Sequence, residues 1–222
     1  MKKLFGIIFS VCMLVSFATE IFAQQETPFY NDIQHFKKQD SINPPPQHAI
    51  LFVGSSSFTK WTDVQNYFPD YKIINRGFGG SSLPDVIRYA NDIIIPYHPK
   101  QVVIYCGDND FAVSDTVSVQ TVLERFKKLF RIVRKGLPDA NIVYVSIKPS
   151  PSRMKLMAKG DEANMVIRKF LAKQKNSSFV DVFHLMLDNG RPMPSIFLSD
   201  SLHMNASGYA IWKKAIEPKL KK

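Results

Sequence analysis

Five short runs of β-type residues, separated by stretches of helical periodicity, constrain this chain more than any other feature. They span residues 49–53, 72–75, 101–105, 141–147 and 178–182. Several are apolar on consecutive positions, as in Ile50-Leu51-Phe52-Val53 and Val102-Val103-Ile104. A strand needs that pattern only when both of its faces are covered, which is the condition of a buried parallel sheet. Between the runs, Val119, Val122, Leu123, Phe126, Leu129, Phe130 and Val133 recur at helical spacing and are stopped by Gly136-Leu137-Pro138. Further helices fit residues 83–94, 161–174 and 206–217, the last with Asn205 as its cap. Alternating strands and helices predict an α/β fold, a three-layer α/β/α sandwich on a mostly parallel sheet. At 222 residues, with 45% hydrophobic residues and 17 Phe, the chain has the material for one full core and no second domain. In such a sheet ligands bind beyond the carboxyl ends of the strands, so the residues just after each run are the candidates for chemistry.

The N-terminus differs in kind. Met1-Lys2-Lys3 precedes an apolar run from Leu4 to Val15, and the small Ala23 precedes the polar Gln24-Gln25-Glu26. Residues 1–23 read as a signal peptide, which predicts export to the periplasm or beyond the cell. The run is broken by Ser16 and Thr19 and ends at Glu20, too short for a stable membrane anchor. Phe9-Ser10-Val11 ahead of Cys12 is also a poor lipidation site. Loss of the leader leaves Cys106 as the one cysteine, so no intramolecular disulfide is available. Residues 24–47 end in Asn43-Pro44-Pro45-Pro46 and read as an N-terminal arm, with the domain proper at 48–222. The net charge of +10 comes from scattered lysines, the pattern of a solvated surface; with export it argues against nucleic acid as a partner. Nothing in the chain specifies an oligomeric state.

The predicted strand ends carry blocks of candidate residues. The first run leads into Gly54-Ser55-Ser56-Ser57-Phe58, where a glycine permits a sharp turn and a serine can start the next helix. The Gly-x-Ser-x-Gly elbow of the α/β-hydrolases is excluded by Phe58. The second ends in Asn75-Arg76-Gly77-Phe78-Gly79-Gly80-Ser81-Ser82, which lacks the Gly-Lys-Ser/Thr of a phosphate loop and has Ser82 where a dinucleotide loop needs its last glycine. The third ends in Gly107-Asp108-Asn109-Asp110, and an uncharged amide there suits an oxyanion hole. Shortly before the last helix stands Asp200-Ser201-Leu202-His203, whose spacing lets a carboxylate orient an imidazole within one turn. Read separately, each block also fits an ordinary turn or cap.

Taken in order, the four blocks resemble the SGNH, or GDSL, hydrolase family over roughly residues 49–218. Its signature residues fall on Ser56, Gly80, Asn109 and His203, with Asp200 as the acid. The Asn-x-Gly-x-Gly-Gly loop is most similar to the branch containing platelet-activating-factor acetylhydrolase subunits and bacterial acyl-esterases. That resemblance implies a flavodoxin-like sheet of five parallel strands. It also implies a Ser56-His203-Asp200 triad, with an oxyanion hole made by the N–H groups of Ser56 and Gly80 and the amide of Asn109. Two residues depart from the pattern: Ser55 stands where the family usually has Asp, and Ser81 where the related branch often does. Of the three serines, Ser56 keeps the family's spacing of two from Gly54.

The implied reaction is hydrolysis of a carboxylic ester through an acyl-enzyme. No metal or organic cofactor is implied, since His35, His48, His98 and His184 show no ligand spacing. Asp110, Phe111 and Arg153 are the candidates for substrate contact, with Arg153 in the proline-stiffened segment 148–154. No wide apolar tunnel is indicated, which favours short acyl esters, including O-acetyl groups on carbohydrate. A phospholipid or lysophospholipid acylhydrolase, and a non-catalytic glycan-binding module on the same fold, are the alternatives.

Overall fold

The computed structural model describes residues 27–222; the expected signal peptide lies outside the described residues. In chain order the elements are helix α1 (Tyr30–Ile42), β1 (Ile50–Gly54), α2 (Ser56–Thr59), α3 (Val64–Tyr67), β2 (Ile73–Gly77), α4 (Leu83–Ile93), β3 (Gln101–Tyr105) and α5 (Asp108–Ala112). They continue with α6 (Val119–Gly136), β4 (Asn141–Val145), α7 (Met157–Leu171), β5 (Ser177–Val180), the two-residue strands β6 (Leu187–Asp188) and β7 (Arg191–Pro192), and α8 (Ala206–Ile216). Short 3₁₀ turns link several of them.

β1 to β5 form one parallel sheet in the order β2-β1-β3-β4-β5, the flavodoxin-like arrangement. Pleating divides each central strand between two cores. Leu51, Val53, Val102, Ile104, Ile142 and Tyr144 face a core closed by α1, α4, α6 and α7. Ile50, Phe52, Val103, Tyr105, Val143 and Val145 face a second one containing Phe58, Trp61 and, from α8, Tyr209 and Trp212. The consecutive apolar residues of β1, β3 and β4 are therefore buried on both faces, which is why they lack alternation. The helix over 119–136 starts at Ser118, whose side chain accepts from Thr121 N, and Asn205 caps α8 through Ser207 N and Gly208 N.

The segment read as an arm is more ordered than its composition suggests. Residues 30–42 form α1, which buries Ile33 against α4 and is tied to the domain by Asp40, bonded to both Arg76 and Tyr97. The apolar positions of this helix are too few to give a periodic signal. Side chains of the domain supply its anchors. Among the described residues no helix is long and apolar enough to cross a membrane.

The strand order reverses between β1 and β3, whose last residues pair as Gly54 and Tyr105. Gly54 has φ of +139°, and a Cβ there would lie 1.9 Å from the Tyr105 carbonyl oxygen. Only glycine lets β1 run this close to β3 and then turn into α2.

Candidate active site

Ser55, Ser56 and Ser57 leave β1 together, and the start of α2 sorts them. Ser55 and Ser57 are 3% and 2% exposed, while Ser56 is open to the site. Its Oγ lies 3.0 Å from Nε2 of His203. On the other side of the ring, Nδ1 is 2.6 Å from Oδ2 of Asp200. Asp200 Oδ1 accepts from the backbone N–H groups of Leu202 and His203, both at 2.9 Å, in a turn completed by Ser201 at φ of 55°. The His203 contact, followed by these two donors, holds the Asp200 carboxyl well below the usual carboxylate range. A carboxylate at Nδ1 keeps the proton there, which leaves the Nε2 lone pair facing the Ser56 hydroxyl.

A second Asp-x-x-His provides an internal comparison. Asp181 and His184 repeat the local geometry, with Nδ1 to Oδ2 at 2.8 Å and the His184 N–H bonded to Asp181 Oδ1. Its Nε2 faces Asp161 Oδ1 at 3.9 Å and no hydroxyl, and the side chain is 63% exposed against 16% for His203. The tetrapeptide makes the turn in both places. Only at His203 does the fold bring a serine to it.

Three further residues lie at the same carboxyl edge of the sheet. Gly79 and Gly80, after β2, are exposed, and Gly80 has φ of +87°. Among the described residues the N–H groups of Ser56 and Gly80 donate to no protein acceptor. Asn109, at the start of α5, donates through Nδ2 to Ser55 Oγ at 2.7 Å and to the Ser81 carbonyl at 3.0 Å. Its Oδ1 accepts from Nη2 of Arg153 at 2.9 Å.

The expected substrate contacts divide. Asp110 is wholly buried and holds Leu83 N at 2.8 Å and Arg125 Nη1 at 2.7 Å, so it braces α4 and α6 rather than facing a ligand. Phe111 is 2% exposed within the core under α4 and α6. Helical geometry turns both away from Asn109, although they follow it in sequence. Arg153 does reach the site, but Nη1 pairs with Asp108 at 2.8 Å while Nη2 holds Asn109. Two contributors escaped the sequence reading. Ser81 bonds Asn109 through its backbone oxygen, and its Oγ donates to the Gly54 carbonyl. Lys148, with its side chain 1% exposed, lies 3.8 Å from Asp108, and burial pulls its pKa down. A lysine directly after an apolar strand was the available signal for the latter.

The model for the GDSL-like lipase/acylhydrolase family matches residues 51–211, which carry all of these groups. The chain belongs to the GDSL-like lipase/acylhydrolase family. As a member of that family it is a carboxylic ester hydrolase. Solved structures agree on the fold of this GDSL-like acylhydrolase. A proposed platelet activating factor from Streptococcus pneumonia is 20% identical with a TM-score of 0.75, covering 93% of this chain and 99% of its own. A GDSL-like lipase from Bacteroides thetaiotaomicron is 18% identical, TM-score 0.72, covering 84% and 96%. An acetylxylan esterase from Geobacillus stearothermophilus is 17% identical, TM-score 0.61, covering 79% and 94%. No curated protein is a significant match.

Proposed function

We propose that this GDSL-like acylhydrolase is an exported serine esterase that cleaves short acyl esters, O-acetyl groups on carbohydrate among them, through Ser56, His203 and Asp200. The observation that carries the reading is the unbroken chain of contacts from Asp200 through both nitrogens of His203 to Ser56 Oγ. His203 Nε2 takes the hydroxyl proton as Oγ attacks the ester carbonyl carbon, and the carbonyl π pair moves onto oxygen. Collapse of the tetrahedral adduct breaks the bond to the leaving alkoxide, which receives the same proton from Nε2. Water then repeats the sequence on the acyl-enzyme and releases the acid. Asp200 keeps the ring in one tautomer and offsets the imidazolium charge.

The developing oxyanion meets the N–H groups of Ser56 and Gly80 and the Asn109 amide. Both amide hydrogens of Asn109 already have acceptors, so the oxyanion competes with Ser55 Oγ for one of them. That acceptor is a neutral hydroxyl, weaker than the carboxylate the family usually places there. The similarity to an acetylxylan esterase supports a short acyl group. A lysophospholipid acylhydrolase is the second reading, favoured by exposed Met154 next to Arg153 and exposed Leu198, whose N–H bonds the His203 carbonyl. The test is hydrolysis of p-nitrophenyl acetate, butyrate and octanoate beside acetylated xylan and a lysophospholipid. The first reading requires acetate and acetylated xylan to be the best substrates. A preference for octanoate and lysophospholipid selects the second.

A further inference from the structure

We propose that Arg153 is a positioning residue for Asn109, fixing which end of the amide faces the nucleophile, and that it does not bind substrate. This rests on the oxyanion role of Asn109 in the esterase reading above. The amide is planar, and a half-turn about its last torsion exchanges oxygen and nitrogen. In the observed orientation every contact matches donor to acceptor: Arg153 Nη2 to Oδ1, and Nδ2 to both Ser55 Oγ and the Ser81 carbonyl. The flipped orientation would set Nδ2 against the guanidinium and Oδ1 against the Ser81 carbonyl. Those are two mismatched contacts in a partly buried place, where unpaired polar groups are costly. With alanine at 55 or 81 the Ser81 backbone would still contribute one of these restraints; Arg153 alone supplies the other.

The arginine is itself held from behind. Nη1 pairs with Asp108 Oδ1, and the buried Lys148 lies near Asp108 Oδ2. This explains a cationic side chain that reaches the site and yet points at a protein amide rather than into solvent. A cation on Oδ1 also draws electron density from the amide nitrogen, which makes its N–H groups stronger donors as oxyanion charge develops. The effect belongs to the transition state, so it appears in kcat.

The experiment uses p-nitrophenyl acetate, which carries no anionic group for an arginine to bind. Wild type, Arg153→Lys, Arg153→Met, Asn109→Ala and the Arg153→Met/Asn109→Ala double variant are compared. Arg153→Met should lower kcat roughly ten- to a hundredfold with KM within about threefold, Arg153→Lys should recover part of the loss, and in the Asn109→Ala background the arginine change should cost less than about threefold. Independently of turnover, the Asn109 side-chain NH₂ resonances, assigned by their loss in Asn109→Ala, should move in Arg153→Met. Losses that multiply in the double variant, a rise in KM without a fall in kcat, or unmoved NH₂ resonances overturn the proposal alone. Full turnover in Asn109→Ala overturns the oxyanion reading and the proposal with it.

Discussion

Replacing Asp110 separates the brace it forms from the substrate contact its position in the sequence suggests. The carboxylate is fully buried, and its two oxygens accept from Leu83 N at the first turn of α4 and from Arg125 on α6. In Asp110→Ala the Leu83 N–H is left buried without an acceptor, which costs about 1–3 kcal/mol. Arg125, 30% exposed, can turn to water, so its loss adds under about 1 kcal/mol. The volume of the missing carboxylate adds about 1 kcal/mol, and relief of its desolvation offsets part of the total. The net expectation is a loss of about 2–4 kcal/mol, or roughly 5–15 °C in Tm for a domain of this size. Asp110→Asn, which keeps an acceptor for Leu83, should lose about half as much. Burial raises the Asp110 pKa in spite of its donors. The folded chain thus holds this proton more tightly than the unfolded chain. The contribution of Asp110 to stability is greatest below the unfolded value of about 3.9 and declines as pH rises through the higher folded value. The difference in stability between wild type and Asp110→Asn should therefore narrow as pH rises above the unfolded value of about 3.9. The assay is thermal and urea unfolding at rising pH, with KM for p-nitrophenyl acetate measured on the same samples. An unchanged Tm with KM raised tenfold or more would refute the bracing role.

Three further outcomes follow from the same geometry. Asn109→Ala should lower kcat on p-nitrophenyl acetate roughly 100-fold or more while leaving Tm within a few degrees, read by steady-state kinetics and calorimetry. Asp200→Ala should lower kcat roughly 10²- to 10⁴-fold, and because the wild-type carboxyl titrates well below the usual range, the acid limb of kcat/KM above about pH 4 should involve one proton only. Gly54→Ala puts a Cβ against the Tyr105 carbonyl at positive φ, so it should cost roughly 3–5 kcal/mol in urea unfolding and lower soluble yield.

The sheet was legible because its central strands are short and apolar on both faces, and because the longer helices between β3 and β5 show a period. β1 and β3 announce themselves as Ile50-Leu51-Phe52-Val53 and Val102-Val103-Ile104, and their burial on both sides follows directly. Helix α1 was not legible, because one buried isoleucine and a tether through Asp40 leave no periodic trace in the sequence. At the site, the strand ends and the segment before the final helix supplied candidate blocks, and the resemblance to the family singled out Ser56, Gly80, Asn109, Asp200 and His203 within them. Side-chain direction was harder to read. Asp110 and Phe111 adjoin Asn109 in sequence, but the helical turn of α5 sends them into the interior. The role of Arg153 has no trace in the sequence, since its partners Asp108 and Asn109 lie 45 and 44 residues away in the chain, a pairing that only the fold creates.

The central claim is that Ser56 is the nucleophile that His203 activates, and covalent labelling tests it most directly. A fluorophosphonate ester, which captures an activated serine as a stable adduct, should add one label to the wild-type chain, mapped by mass spectrometry to the peptide containing Ser55, Ser56 and Ser57. Ser56→Ala should take no label and hydrolyse no p-nitrophenyl acetate. Ser57→Ala should keep both properties. Label or turnover persisting in Ser56→Ala would contradict the account.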